Sequence, residues 1–419
     1  MIDEDSRYFS YSGDIPIGGP STWHITDWDQ RRVISVTMDG EQDDADTAIE
    51  HLRRHISQLS SNVYRIYVSD TGELISTYTD PKNDKTFCAR YPLLSEISVP
   101  EGIAIVRRDE LEELERLGPD VDLVCYPPCS GASTTNAVFK YYFMCQHEHT
   151  SWKEMNLWMR LPPHPNIVPF DKIVLDELEG RVVGFTSGYV SGGNLEDNTS
   201  RDFKLEWLKQ LIEVVDLLNL RYGIAHQDIA PRNLLVDELA DSIKLIDFNF
   251  AARISDLSLA KGEGYFEDRN DVKGVIFTTY GLITQDYSLR DVPHEEQKLE
   301  DLTREWIKEQ GVKLDHPVAS YQLMLKEWQE QRAGSLHDIH VGNAPEAINW
   351  PSRPPPPPKT ITLRDPNGQP RYVTVDEDWL ERRPEVRDKG GKVLNWERPP
   401  QRLLDSGTRV LSSGEVLQC

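Results

Sequence analysis

The chain has 419 residues, which is enough for two or three domains by length alone or for one large domain with extensions. Hydrophobic residues make up 38% of it and the mean hydropathy is −0.54, values typical of a soluble protein. The net charge of −24 and the pI near 4.9 argue against a nucleic acid or an anionic membrane as the main partner.

The cellular compartment is indicated by three features of the sequence. The N-terminus lacks a basic region followed by an apolar stretch, and no apolar run approaches the ~20 residues of a membrane span. The cysteines are odd in number and have no paired metal-ligand spacing, which suits a reducing compartment. They are Cys88, Cys125, Cys129, Cys145 and Cys419. We therefore expect an intracellular protein, cytoplasmic or nuclear.

Residues 1–119 are predicted to form an N-terminal extension that contains a small α/β element. Arg32–Thr37 and Val63–Val68 have the composition of strands, and Asp43–Ser60 has apolar residues at helical spacing. The segment Glu110–Leu117 predicts a short charged helix that ends at Gly118 and Pro119. From Asp120 the predicted order is strand, loop, strand, helix, strand, strand. Further helices are predicted at Leu205–Leu220, Val272–Ile283 and Tyr321–Arg332.

Residues 336–419 are predicted to form a proline-rich, partly disordered tail. The run Pro354–Pro358 favours a polyproline II conformation, which is either a stiff spacer or a docking segment for a partner. Beyond it, Thr360–Leu363 and Arg371–Val375 flank a Pro-Asn-Gly turn and predict a hairpin. The last forty or so residues are polar, and we expect them to be mobile.

Three side chains between residues 226 and 249 have the chemistry that phosphoryl transfer requires. That reaction needs positioned phosphates, magnesium held by oxygen ligands and a carboxylate near the attacking hydroxyl. Asp228 and Asn233 lie five residues apart in one segment, and Asp247 follows an apolar strand. A β-hairpin between them would bring Asp247 beside Asn233.

Here the sequence resembles the eukaryotic protein kinase family. His226-Gln-Asp-Ile-Ala-Pro-Arg-Asn-Leu-Leu235 is similar to the H-R-D-L-x-x-x-N catalytic loop, and Asp247-Phe-Asn249 is similar to D-F-G. The resemblance implies that Asp228 is the catalytic base and that Asn233 and Asp247 bind Mg²⁺. It implies an α+β, bilobal protein-kinase-like fold over residues 120–335, with a small β-rich N-lobe and a mainly helical, abbreviated C-lobe.

The resemblance also assigns nucleotide-binding residues. Ala137-Val-Phe-Lys140 is similar to the V-A-I-K strand, so Lys140 would contact the α- and β-phosphates and Glu154 would be its partner on the next helix. Gly131 would lie in the phosphate loop. Val138 and Leu235 would enclose adenine.

Tyr189-Val-Ser-Gly-Gly-Asn194 is similar to the hinge segment. Val190 would present backbone groups to adenine there, and Asn194 would lie near the ribose.

Two structural roles follow from the same alignment. Phe170, Trp158, Phe248 and His226 would form the stack that connects the lobes of active kinases. Asp271 would hold the backbone of the catalytic loop.

The chain departs from the family pattern at several positions. Ser/Thr kinases usually have a lysine at the position of Ala230, whereas tyrosine kinases have an arginine at the position of Arg232. Gln227 replaces the arginine that normally pairs with an activation-loop phosphate. The phosphate loop has one glycine, Gly131, and the 21 residues 250–270 contain no A-P-E motif. Asn249 replaces the glycine of D-F-G.

Three functions are therefore compatible with the sequence. The first is an ATP- and Mg²⁺-dependent kinase that phosphorylates Ser, Thr or Tyr of a protein substrate. The second is a pseudokinase that serves as a binding or scaffold module, and the third is a kinase-fold enzyme that acts on a small molecule. Complete phosphoryl-transfer residues favour the first, the poor phosphate loop favours the second, and the short segment after Asn249 favours the second or third.

The cluster Cys145–His149 is a weak metal-site candidate.

Overall fold

The computed structural model describes residues 4–126, 134–143, 148–197, 202–254, 264–303, 305–335, 344–351, 359–364, 369–375 and 379–417. The predictions for Gly131, Cys145 and Pro354–Pro358 lie outside these residues. The chain divides into two compact units. The first comprises Met1–Ser151, Asp171–Thr186 and Arg353–Cys419, and the second comprises Trp152–Phe170 and Ser187–Ser352.

Strands and helices are both abundant, as an α+β class requires. Within the described residues the strands are β1 (Tyr8–Asp14), β2 (Ser21–Asp27), β3 (Arg32–Met38), β4 (Arg65–Val68), β5 (Leu74–Tyr78), β6 (Phe87–Ala89), β7 (Ala104–Arg107), β8 (Glu112–Gly118), β9 (Val121–Tyr126), β10 (Thr135–Tyr141), β11 (Phe170–Leu175), β12 (Val182–Gly188), β13 (Asp202–Phe203), β14 (Ile224–Ala225), β15 (Leu234–Asp237), β16 (Ser242–Leu245), β17 (Ala252–Arg253), β18 (Lys313–Leu314), β19 (Lys359–Arg364), β20 (Pro370–Val375), β21 (Leu380–Arg382) and β22 (Val410–Leu411). The helices are α1 (Ala45–His55), α2 (Glu148–Trp158), α3 (Leu205–Asp216), α4 (Asp271–Thr284), α5 (Val318–Ser335), α6 (Arg383–Asp388) and α7 (Gln401–Asp405).

The predicted α/β element at the N-terminus is confirmed. Its sheet has the order β1-β2-β3-β4-β5, in which β3 and β4 are parallel. Helix α1 begins after Asp44, whose side chain accepts a hydrogen bond from the backbone N–H of Asp46. Its buried Ala48 and Leu52 join a core cluster with Ile34 of β3. The predicted helix is shorter than expected because a 3₁₀ turn, Ile56–Gln58, follows its last residue.

A second sheet in the first unit contains seven strands in the order β22-β8-β9-β10-β12-β11-β7. The sheet therefore includes β7 and β8, which precede residue 120, and β22, which follows residue 335, together with four strands from between these positions. The predicted charged helix at Glu110–Leu117 is wrong, because Glu112–Gly118 forms strand β8. The strand buries the charged Glu113 and Arg116 and exposes the apolar Leu114 and Leu117. This is the reverse of an ordinary strand, in which the apolar side chains face the core.

Long-range ion pairs compensate for this reversed pattern. Arg31 Nη2 lies 2.9 Å from Glu113 Oε2, and Arg31 Nη1 lies 3.1 Å from Asp122 Oδ2. Arg116 Nε lies 3.2 Å from Asp122 Oδ1, and Arg398 Nε lies 3.4 Å from Glu113 Oε1. All five side chains are almost completely shielded from solvent, and buried charges are tolerated only when they are paired.

The expectation that the last forty or so residues are mobile is also wrong, because residues 379–417 pack into the first unit. The Trp396 ring stacks on Tyr141 with 5.0 Å between centroids, and its Nε1 donates a hydrogen bond to Tyr91 Oη at 2.9 Å. The guanidinium of the buried Arg108 lies 4.4 Å from the centre of the same ring. The helices and strands of this segment are too short to show a periodic sequence pattern, and a few large residues hold it in place, so its packing could not be predicted from the sequence.

The predicted hairpin at 360–375 is confirmed, since β19 and β20 pair antiparallel. The predicted helices of the second unit are confirmed with small shifts in their ends. Leu205–Leu220 is helix α3 followed by a π-helical turn, Leu217–Arg221. None of the helices in the described ranges has the length and apolarity needed to cross a membrane.

Candidate active site

Asp228 lies in the loop that connects β14 with β15, and its side chain is held from two sides. Arg232 Nη2 donates hydrogen bonds to both carboxylate oxygens, at 2.7 and 2.9 Å. Asn233 Nδ2 donates to Asp228 Oδ2 and to the Asp228 carbonyl, each at 2.8 Å. The Asp228 side chain is 12% exposed, so the carboxylate is fixed in position and still accessible.

The backbone of this loop is anchored by Asp271, the first residue of α4, as predicted. Asp271 Oδ2 accepts a hydrogen bond from the backbone N–H of His226, and Oδ1 accepts one from that of Gln227, both at 2.7 Å. Asn219 Nδ2 donates to Oδ2 as well, at 2.7 Å. A buried carboxylate can satisfy its acceptors with such donors, and it thereby fixes the start of the loop.

Asp247 is brought next to Asn233 by the predicted hairpin. Strands β15 and β16 pair antiparallel, and the backbone N–H of Ile246 donates to the Asn233 carbonyl at 3.1 Å. Asp247 has a left-handed backbone, with φ +68°, which is strained for a residue other than glycine.

The oxygen atoms at this position fit the predicted magnesium ligands. The side-chain nitrogen of Asn233 donates to Asp228. The groups left for a hard cation are therefore the side-chain oxygen Oδ1 of Asn233 and the carboxylate of Asp247. Among the described residues no group of three or more His, Cys, Asp or Glu could hold a metal ion. Binding of Mg²⁺ by Asn233 and Asp247 stays a prediction.

Three of the four predicted stacking residues are in contact. The ring of Phe248 lies 5.3 Å from that of Trp158 and 5.0 Å from that of His226, between centroids. Glu154, which is buried on α2, accepts a hydrogen bond from the backbone N–H of Phe248 at 3.2 Å. The role of Phe170 stays a prediction.

The remaining nucleotide residues are divided between the two units. In the second unit, Asn194 forms an isolated β-bridge with Leu235. Gly192 lies so close to the backbone of Val236 that a Cβ at position 192 would be 2.0 Å from the Val236 carbonyl oxygen. In the part of the chain that the structure describes, the backbone N–H and C=O of Val190 have no protein partner. Binding of adenine by Val190 stays a prediction.

Asn194 has its side chain engaged locally. Its Oδ1 accepts hydrogen bonds from the backbone N–H groups of Glu196 and Asp197. Val138 and Lys140 lie on β10 of the first unit, opposite Leu123 and Val121. The pairing of Lys140 with Glu154, and the contacts of Val138 and Asn194 with nucleotide, stay predictions.

Gln227 has a role that the sequence comparison missed. Its buried amide nitrogen donates to the carbonyls of Phe250 and Gly264, at 2.8 and 3.2 Å, and its Oε1 accepts from the backbone N–H of Phe266 at 2.6 Å. A neutral side chain thus connects the catalytic loop with both ends of the segment that follows Asn249. No phosphate is needed for this connection.

We expect Gln227→Ala to lower phosphoryl-transfer activity by about tenfold, because two carbonyls and one N–H of the segment after Asn249 lose their partner, at up to roughly 1–3 kcal/mol each where the group is buried. Treating the wild-type protein with phosphatase should leave its activity unchanged. Gln331→Ala, at an exposed position on α5, is the matched control. Loss of wild-type activity on dephosphorylation would contradict this role of Gln227.

A cavity of about 350 Å³ opens beside Asp228 in the second unit. Its volume is at the lower end of the ~300–1,000 Å³ of ligand pockets. Arg232 and Ile229 of the catalytic loop line it together with residues from α4 and from the segment after α4. An acceptor bound here would meet the Asp228 carboxylate directly.

The loop around Asp228, the anchoring Asp271 and the stacked Phe248 have the arrangement expected of a protein-kinase-like domain. Residues 137–265 match the model of the protein kinase domain. This stretch of the chain is therefore similar to a protein kinase domain.

Curated kinases are similar to part of the chain. CBL-interacting serine/threonine-protein kinase 16 of Arabidopsis thaliana is 34% identical over 116 residues, which is 26% of this chain and 24% of that protein. Ribosomal protein S6 kinase alpha-6 of Homo sapiens is 31% identical over 153 residues, which is 34% of this chain and 20% of that protein. The chain thus spans a fifth to a quarter of the length of these relatives.

Proposed function

We propose that the protein transfers the γ-phosphate of ATP to a protein hydroxyl in a reaction that requires Mg²⁺. The observation that carries this proposal is the Asp228 carboxylate, fixed by Arg232 and Asn233 and facing an open cavity. The names of the similar proteins favour serine or threonine as the acceptor, although Ala230 and Arg232 follow the tyrosine kinase pattern.

The residues divide the chemical work as follows. The acceptor hydroxyl gives its proton to Asp228 as its oxygen forms a bond to the γ-phosphorus, and the bond from that phosphorus to the bridging oxygen breaks to release ADP. Asn233 and Asp247 would hold Mg²⁺, which neutralises charge on the phosphate oxygens. Lys140, with Glu154 as its partner, would orient the α- and β-phosphates. Val138, Val190, Asn194 and Leu235 would bind the nucleoside.

The test is transfer of label from γ-labelled ATP to proteins and, separately, to the small-molecule fraction of a cell extract. We expect labelled protein that disappears when Mg²⁺ is chelated. Asp247→Asn should lower the transfer by about a hundredfold or more, since it removes one charged ligand of the ion. Asp301→Asn, an exposed change in the second unit, should not. Label in small molecules alone, or ATP binding without transfer, would overturn the proposal.

A further inference from the structure

Three of the cations that line the cavity beside Asp228 have no carboxylate partner among the described residues. Arg269, Lys273 and Arg290 all contribute to its wall. In the described part of the chain, none of the three side chains lies within 4.0 Å of an acidic oxygen. Each is held by uncharged groups instead.

Arg290 is held against the catalytic loop. Its Nη2 donates to the Ile229 carbonyl and to Thr278 Oγ1, each at 2.7 Å. Both contacts use one nitrogen, so Nε and Nη1 have no acceptor among the residues that the structure describes. Burial lowers the pKa of Arg290, and the positive charge of Arg232 adds to this effect.

Lys273 is held in the same way, on the first turn of α4. Its Nζ donates to the backbone carbonyls of Asp268 and His294, and its side chain is largely buried. Arg269 contacts only the ring of Phe250, with its guanidinium 4.6 Å from the ring centre, and its side-chain nitrogens bond to nothing in the described ranges. Within the described residues, the wall of the cavity thus offers several N–H donors on positively charged groups that have no acceptor.

The acidic residues of the cavity do not neutralise these cations by contact. Asp228 is already bonded to Arg232 and Asn233, and Glu196 and Asp291 are exposed, where solvent screens their charge. Asp268 is half-buried and raises the pKa of Lys273 without pairing with it, although burial lowers that pKa overall. Burying a cation without a paired anion costs free energy, and a ligand that supplies the negative charge offsets this cost.

We propose that the acceptor hydroxyl belongs to a peptide segment with an anionic side chain next to it, and that Arg269, Lys273 and Arg290 bind this anion. This inference rests on the proposed function and adds the substrate class. A carboxylate or a phosphate has the oxygens that guanidinium donors take in bidentate fashion. Arg290 contacts the carbonyl of the residue after Asp228, so the anion lies close to the hydroxyl that reacts.

The test is a peptide library in which Ser, Thr or Tyr is the fixed acceptor and each flanking position in turn is Asp, phosphoserine, Asn or Lys. We expect kcat/KM to be about tenfold higher with an anionic neighbour than with Asn at one flanking position, and lowest with Lys. Comparison of Asp with phosphoserine shows which anion the site prefers.

Variants distinguish a loss of anion binding from a loss of folding or of overall activity. Arg269→Gln should bring the Asp/Asn ratio of kcat/KM close to one, whereas Arg269→Lys, which keeps the charge, should retain most of it. Arg221→Gln, an exposed arginine of the same unit that lies outside the cavity, is the matched control and should leave the ratio unchanged. Equal melting temperatures of the three variants would exclude an effect on folding.

The outcomes distinguish this inference from the proposed function. Transfer to peptides without an anionic preference, a preference for Lys, or a preference that Arg269→Gln does not reduce would overturn the inference alone. Transfer to no peptide in the library would overturn the proposed function and the inference with it.

Discussion

Asp228→Asn is expected to lower the rate of phosphoryl transfer by about a thousandfold, because a positioned general base contributes roughly 10²–10⁴ to such a rate. The amide cannot take the proton of the acceptor hydroxyl, and it also loses the ion pair with Arg232. The measurement is kcat with a protein or peptide acceptor, together with ATP binding by calorimetry. Binding of ATP should persist, since the predicted nucleotide contacts belong to other residues.

Two controls make this result interpretable. Asp301→Asn removes an exposed carboxylate of the same unit and should leave kcat unchanged. The melting temperature of Asp228→Asn should stay close to that of Asp301→Asn. If kcat falls less than tenfold, Asp228 is not the base; if the melting temperature falls sharply, its role is in folding.

The second large effect concerns stability rather than chemistry. Trp396→Ala should lower the free energy of unfolding of the first unit by about 3–5 kcal/mol, the usual cost of removing a buried tryptophan. The change removes the stack on Tyr141, the hydrogen bond to Tyr91 and the ring beneath the buried Arg108. Trp396→Phe keeps a stacked ring and should cost less than half as much.

Hydrogen exchange read by peptide is the suitable measurement, because a chain with two units need not unfold in one step. Protection should fall in β10 and β9, which form the sheet around Tyr141, and persist in α5 of the second unit. Unchanged protection in β10 would show that the C-terminal segment does not support the first unit.

The predictable part of the molecule is the part in which function depends on local spacing. Asp228 and Asn233 share a loop, and Asp247 follows through a short hairpin, so neighbours in sequence are neighbours in space. Asp271 contacts His226 and Gln227 from 45 and 44 residues away, but it could be recognised because it begins a helix with clear apolar character. Such spacing can be recognised in a single sequence.

The parts that could not be predicted depend on residues far apart in the chain. Glu113 and Arg116 can be buried in β8 only because Arg31 and Arg398 supply charges from elsewhere. A local pattern of charges in Glu110–Leu117 indicates an exposed helix as long as those partners are unknown. Gln227 is a similar case, because its three partners follow it by more than twenty residues and none is a side chain.

The segment 379–417 has a consequence for synthesis of the protein. Trp396 follows Thr186, where the middle segment of the first unit ends, by 210 residues. At roughly 5–20 residues per second, the ribosome needs on the order of 10 to 40 s to make that stretch. The larger segment of the second unit, Ser187–Ser352, is made during this interval, while Tyr141 and Arg108 still lack the ring that covers them. The second unit should therefore finish folding before the first unit, although synthesis of the first unit begins earlier. A chaperone would bind the first unit during the time before Trp396 is made.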